Sequence, residues 1–199
     1  MAKTDTFEPK QKRSIEKKKH IIETGIQLMA AQGYHHTTTD DIAAAAGVST
    51  GIIYRYFKDK HDILLEGLSL YFHKMEENNY FTIDTSSSET ILEFSRKMIR
   101  QFLSIHEKNW YMHEELEAMR HSDPEVAGLY DATESAIITK ITSELQTRGD
   151  AKADLPERVY AVFHLIEGYC HMYMRTISPE INLERMHDVT LHAICDLLS

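Results

Sequence analysis

Two cysteines, four prolines and eight glycines in 199 residues are what this chain has least of. Cys170 and Cys195 are too few for a disulfide framework and suit a reducing cytoplasm. So little glycine and proline leaves few turns, and no segment alternates apolar and polar residues as a half-buried strand does. Internal repeats and long low-complexity tracts are absent too. No apolar run approaches the ~20 residues of a membrane span, and the charged N-terminus lacks the apolar stretch of a secretory signal, so the expected location is the cytoplasm. Catalytic signatures are also missing. There is no phosphate-cradling glycine loop, dinucleotide fingerprint or nucleophile elbow. His113-Glu114 opens a zinc-protease-like string, but Glu117 stands where the second ligand would be. No catalytic residue and no cofactor is expected, and the chain does not read as an enzyme.

What is present is helical periodicity. From about residue 14 onward apolar residues recur at helical spacing. Caps and breakers divide the chain into nine helices, at about 14–32, 39–46, 50–57, 60–79, 89–106, 108–121, 124–147, 156–176 and 181–198. A mobile arm is expected over 1–13. Connections are expected at Asp84–Ser88, at Thr147–Asp150 and around Ser178-Pro179. The fold class is all-α, with enough residues for one domain or two small ones.

The densest information lies in residues 38–60, TTDDIAAAAGVSTGIIYRYFKDK. Thr38 can cap a helix, and Asp41 sits three residues on, where a capping box needs it. Ile42 and Ala43 to Ala46 make a short helix whose small side chains let another helix cross closely. Gly47 supplies the left-handed backbone of a sharp turn, Val48 plugs the angle, and Ser49 is placed to cap the next helix. In that helix Ile53 and Phe57, four apart, should face inward, leaving Thr50, Gly51, Tyr54 and Arg55 outside. Asp59 then opens a further helix. Two short helices at a glycine turn, the second polar and aromatic outside, have the layout of a helix-turn-helix reader of DNA.

These residues resemble the DNA-binding domain of TetR-family transcriptional regulators. The tract TTTDDIAAAAGVSTGIIYRYFKDKHDIL follows that family's pattern almost throughout, and the preceding helix with Gly33 as its stop fits as well. The resemblance implies a three-helix DNA-binding domain at 1–59 and a helical ligand-binding and dimerisation domain at 60–199. It also implies that Thr50, Gly51 and Tyr54 enter the major groove, that Thr39, Tyr56 and Lys60 hold phosphates, and that Arg55 does either. Asp40 departs from members that carry a base-reading arginine there, and Ile52 replaces a common threonine.

Charge agrees with that division. Residues 1–60 carry a balance of +3 and residues 61–199 a balance of −12, within a net charge of −9. The basic surplus includes Lys10, Lys12, Arg13, Lys17, Lys18 and Lys19, which suit phosphate neutralisation. The acidic remainder should be repelled by DNA.

Family resemblance further implies a homodimer on a palindromic double-stranded operator, paired through the last two helices. There Val159, Phe163, Ile166, Tyr169, Cys170, Tyr173, Val189, Ala193, Ile194 and Leu197 offer apolar surface, about half of it expected to be internal core. The middle helices should hold a small-molecule effector. Phe102, Trp110, Tyr111, Met119, Tyr130 and Phe163, with Glu114 or His113 as polar anchor, suit an apolar or cationic organic molecule. Ligand release of a repressor is the implied mode. No metal site is assigned. His164, Glu167 and His171 at i, i+3 and i+7, and His192 with Cys195, keep open an alternative metal-responsive reading of the same fold. A protein-binding member that no longer reads DNA is the other alternative.

Overall fold

A computed structural model of the chain describes residues 7–77, 82, 89–149, 152–175 and 180–199. Among the described residues every regular element is an α-helix: α1 (Phe7–Gln32), α2 (Thr39–Ala45), α3 (Thr50–Ile53), α4 (Lys60–Glu77), α5 (Ile91–Arg120), α6 (Pro124–Arg148), α7 (Leu155–Met174) and α8 (Leu183–Leu198).

Two expectations need correction. The arm predicted over 1–13 is already helical from Phe7. The helices predicted at 89–106 and 108–121 are a single 30-residue helix, α5. The polar run His106-Glu107-Lys108-Asn109 looked like a connection, yet it holds neither glycine nor proline, so nothing interrupts the backbone ladder. The connections at 84–88 and 178–179 and the residue Asp150 lie outside the described residues.

The chain forms two compact units, Met1–Lys74 with Glu114–Leu129, and Met75–His113 with Tyr130–Ser199. In the first, Ile21 and Met29 of α1, Ile42 of α2, Ile53 of α3 and Ile63 and Leu64 of α4 are fully buried, with Phe57 beside them. Each such side chain contributes roughly 1.5–3 kcal/mol by leaving water. Gly67 lets α1 and α4 approach. A Cβ there would stand 2.4 Å from Ile26 Cγ1 and Cδ1, far inside contact distance.

The second unit packs Phe94, Met98, Ile99 and Phe102 of α5 against Ile141 and Leu145 of α6, Leu155, Val159, Val162 and Ile166 of α7, and Leu191, Ile194 and Leu198 of α8. Asn182 starts α8 by accepting a hydrogen bond from the Arg185 N–H at 2.9 Å. Thr90 starts α5, where its hydroxyl and the Glu93 carboxylate exchange hydrogen bonds with each other's backbone N–H groups.

Candidate nucleic-acid interface

The local rules read from residues 38–60 operate with two exceptions: the Ser49 side chain makes no cap, and the helix expected at 50–57 ends at Ile53. Thr38 Oγ1 accepts from the Asp41 N–H at 3.1 Å, and the Thr38 N–H donates to Asp41 Oδ2 at 2.9 Å, closing the capping box. The Thr38 hydroxyl and then its N–H hold the Asp41 carboxyl below its ordinary pKa. Gly47 sits at φ +64, where a side chain would be strained, and α3 leaves the turn from there. Ser49 occupies the cap of α3 through its backbone alone, its carbonyl accepting from Ile52 N–H at 2.8 Å. Asp59 caps α4 by accepting from the His61 and Asp62 N–H groups at 2.9 and 3.1 Å.

This frame sorts the candidate DNA residues into two groups. Gly51, Tyr54 and Arg55 project outward, Tyr54 being 58% exposed, while Ile53 and Phe57 anchor the opposite face. A tyrosine ring held so open gains nothing from the core. Thr50 is half-buried, and its hydroxyl donates to Asp40 Oδ1 at 2.6 Å, joining the start of α3 to α2. Thr39, the first residue of α2, is half-buried.

Tyr56 and Lys60 are engaged inward. The Tyr56 hydroxyl lies 2.9 Å from Ser14 Oγ of α1. Lys60 Nζ donates to the carbonyls of Tyr34 and Thr37 at 2.6 and 2.8 Å, reaches His35 O at 3.5 Å, and stands 4.3 Å from the Tyr34 ring centroid. In the structure that ammonium holds the turn between α1 and α2. Of the basic leader, Lys18 pairs with Glu66 at 2.7 Å and Lys19 approaches Glu23 at 3.8 Å. Lys12, Arg13 and Lys17 are exposed. The side chain of Lys10 lies outside the described residues.

Two further links within this unit escaped the sequence reading. Glu115 accepts from the Tyr34 N–H at 2.8 Å and the His35 N–H at 3.3 Å. His61 Nε2 is 2.6 Å from Asp123 Oδ2. Burial pushes the Asp123 carboxyl upward, but hydrogen bonds from Val126 N–H and the His61 ring outweigh it and the net shift is down. The C-terminal end of α5 and the start of α6 thus brace the helix-turn-helix.

Residues 21–66 match the family model of bacterial regulatory proteins, tetR family. The solved structure of a TetR-family regulator from Mesorhizobium loti superposes with a TM-score of 0.76 at 18% identity, over 94% of this chain and 96% of that one. Residues 21–66 are thus a tetR-family segment, and the chain as a whole shares the fold of solved TetR-family regulators. The fatty acid metabolism regulator protein of Bacillus subtilis is 41% identical over 73 residues, 35% of this chain and 37% of that protein. The regulator HbdR of Aromatoleum is 51% identical over 51 residues, 25% and 22% of the two chains. The matched stretch therefore spans a fifth to two fifths of these curated relatives' lengths. The fatty acid degradation regulator FadR of Bacillus halodurans shares the fold, with a TM-score of 0.64 at 18% identity over 90% of this chain and 94% of that one. The matching family model and these relatives are regulatory proteins, not enzymes.

The residues expected to line an effector pocket are placed less uniformly. Phe102 and Phe163 are buried and pack edge to face, centroids 5.5 Å apart, as plain core. Tyr111 is 83% exposed and lines no interior, which corrects its assignment. Glu114 and the buried Met119 belong to the first unit, whereas Trp110 and Tyr130 are half-buried residues of the second. Of the alternative metal residues, His164 pairs with Glu134 at 3.1 Å, and the His192 ring hydrogen-bonds the Asp188 carbonyl at 2.7 Å. Glu167 and His171 do come together, but with His106 and His113.

Proposed function

We propose that the chain is a ligand-responsive DNA-binding repressor that reads a palindromic operator as a homodimer and releases it when a small organic effector, apolar or cationic, occupies the second unit. The observation that carries the reading is the outward display of Gly51, Tyr54 and Arg55 along α3 and the turn that ends it, whose other face is locked by Ile53 and Phe57. Such a helix can enter the major groove, where base pairs differ in their donors and acceptors. With its proton given to Asp40, the Thr50 hydroxyl presents an acceptor beside a carboxylate. That pair favours the exocyclic amino group of cytosine or adenine and disfavours phosphate. Exposed Lys12, Arg13 and Lys17 supply the salt-dependent part of binding.

One short helix reads too few base pairs, which favours a dimer. Outward residues on α7 and α8 support pairing there: Tyr160, Gly168 and Val189 are exposed, and a Cβ on Gly168 would meet nothing. The buried Val159, Ile166, Cys170 and Ile194 serve the internal core instead. Response to effector would pass through α4, whose first turn is tied to the α5–α6 corner by His61 and Asp123. A cytoplasmic, nucleoid-associated location goes with this role. Fluorescence anisotropy on DNA from upstream of the chain's own gene, across a salt series with unrelated competitor DNA, tests it. Tight, competitor-resistant binding that Tyr54→Ala weakens roughly 10- to 100-fold supports the reading. Equal, weak binding to any DNA, indifferent to Tyr54→Ala, refutes it.

A further inference from the structure

In the second unit, α5 and α7 bring three histidines and one carboxylate together. His106 and His113 are seven residues apart on α5, two helical turns, and Glu167 and His171 are four apart on α7, so each pair shares a helix face. One ligand atom from each of the four can be chosen such that all lie within 4.8 Å of one another. His113 Nε2 is 3.1 Å from His171 Nε2, His106 Nε2 is 3.3 Å from Glu167 Oε2, and His171 Nε2 is 3.9 Å from the same oxygen. A tetrahedral zinc ion about 2.1 Å from each ligand holds them about 3.4 Å apart. Three of the pairs, at 3.1, 3.3 and 3.9 Å, already stand near that spacing.

The chemistry of His106 points the same way. Its Nδ1 is 2.8 Å from the Phe102 carbonyl, which can only accept, so Nδ1 carries the proton. In the neutral ring the Nε2 lone pair then faces Glu167, an acceptor facing a carboxylate oxygen, which a cation between them reconciles. A ligating histidine is usually held by its other nitrogen in this manner. His106 is itself buried and Phe102 belongs to the core, so the first ligand is fixed by the fold.

We propose that His106, His113, Glu167 and His171 form a binding site for one divalent transition-metal ion of the zinc type, cross-linking α5 to α7. Three imidazoles and a carboxylate suit zinc, cobalt or nickel rather than magnesium or calcium. Binding displaces any proton shared between the His113 and His171 rings. The inference stands apart from the DNA-binding reading, since nothing in it needs an operator. Trp110, the one tryptophan of the chain, is a built-in reporter, its ring centroid 5.6 Å from that of His171.

The test uses untagged full-length protein stripped by chelator, then dialysed against zinc or titrated with cobalt(II). The expected result is one zinc per chain, the visible absorption of four-coordinate cobalt, and quenching of Trp110 fluorescence by cobalt. His113→Ala and His171→Ala should each weaken uptake at least roughly 10- to 100-fold while keeping the helical circular dichroism. Less than one equivalent, or uptake that neither variant alters, overturns the site and would assign any bound metal to other histidines. Should both variants unfold, wild-type Trp110 fluorescence decides: cobalt that binds without quenching it is not at this site.

Discussion

Lys60→Ala tests whether the lysine that closes the family-like motif is a DNA contact or an internal brace. In the structure its ammonium meets the carbonyls of Tyr34 and Thr37 at 2.6 and 2.8 Å, with a third carbonyl at 3.5 Å and the Tyr34 ring beneath. Hydrogen bonds from a charged donor are worth about 1.5–3 kcal/mol, and a cation over an aromatic ring about 0.5–1 kcal/mol at an open site. The site is half-buried, so solvent replaces part of this on removal. The alanine variant should lose about 2 kcal/mol, read as a lower denaturation midpoint by circular dichroism in urea. The salt dependence of DNA binding is the second assay. An ammonium spent on carbonyls releases no counterion, so the logarithmic salt slope should be unchanged in Lys60→Ala. Arg55→Ala, by contrast, removes an exposed cation without touching the core. There the slope should fall by about 1, provided Arg55 meets a phosphate, with stability unchanged. A Lys60→Ala protein of wild-type stability whose slope falls by about 1 would refute the brace and restore the phosphate role.

Gly67→Ala should destabilise despite the better helix propensity of alanine, because the new Cβ would lie 2.4 Å from Ile26 Cγ1 and Cδ1. Adding Ile26→Ala should recover part of the loss, with a coupling of at least about 0.5 kcal/mol in a double-mutant cycle by urea denaturation. Val189, 63% exposed on α8, tests the dimer face: Val189→Asp should shift sedimentation-equilibrium mass from dimer toward monomer while leaving the thermal midpoint of the helices in place. Acid should weaken the fold through its caps. Asp41 is held below its ordinary pKa by Thr38, Glu93 by Thr90, and Asp154 by Arg158, so their contribution is complete above the unfolded value near pH ~4. It is lost as pH falls through the lower folded values. Thermal midpoints measured from pH 6 to 2 should therefore drop below about pH 4, and Thr38→Ala should flatten part of that drop.

The residues whose meaning was legible in sequence are those that act on near neighbours. Thr38 and Asp41 are three apart, Ile53 and Phe57 four apart, and Gly47 adopts its left-handed turn whatever surrounds it. Helical geometry alone decides such relations, so the helix-turn-helix and the all-α class follow from the order of residues. The break expected inside α5 shows where local reasoning fails. A polar run resembles a connection, but without a glycine or proline the helix continues once its apolar face is packed. That misplaced break also hides the i, i+7 relation of His106 and His113, and spacing along α7 joins Glu167 and His171 to His164, which instead faces Glu134.

The remaining assignments depend on residues far apart in the chain, and only folding brings those together. Lys60 reaches carbonyls 23–26 residues away, Tyr34 finds Glu115 81 residues on, and His113 meets His171 58 residues on. Whether a lysine is free to meet a phosphate, or a histidine to share a ligand set, is settled by which acceptors tertiary packing delivers within about 3 Å. Sequence determined that this chain carries a helix-turn-helix, because its caps, turn and apolar spacing are short-range properties. Tertiary structure alone decided how Lys60 and Glu115 are engaged, because their partners lie 23–26 and 80–81 residues away in the chain and only folding brings them within hydrogen-bond reach.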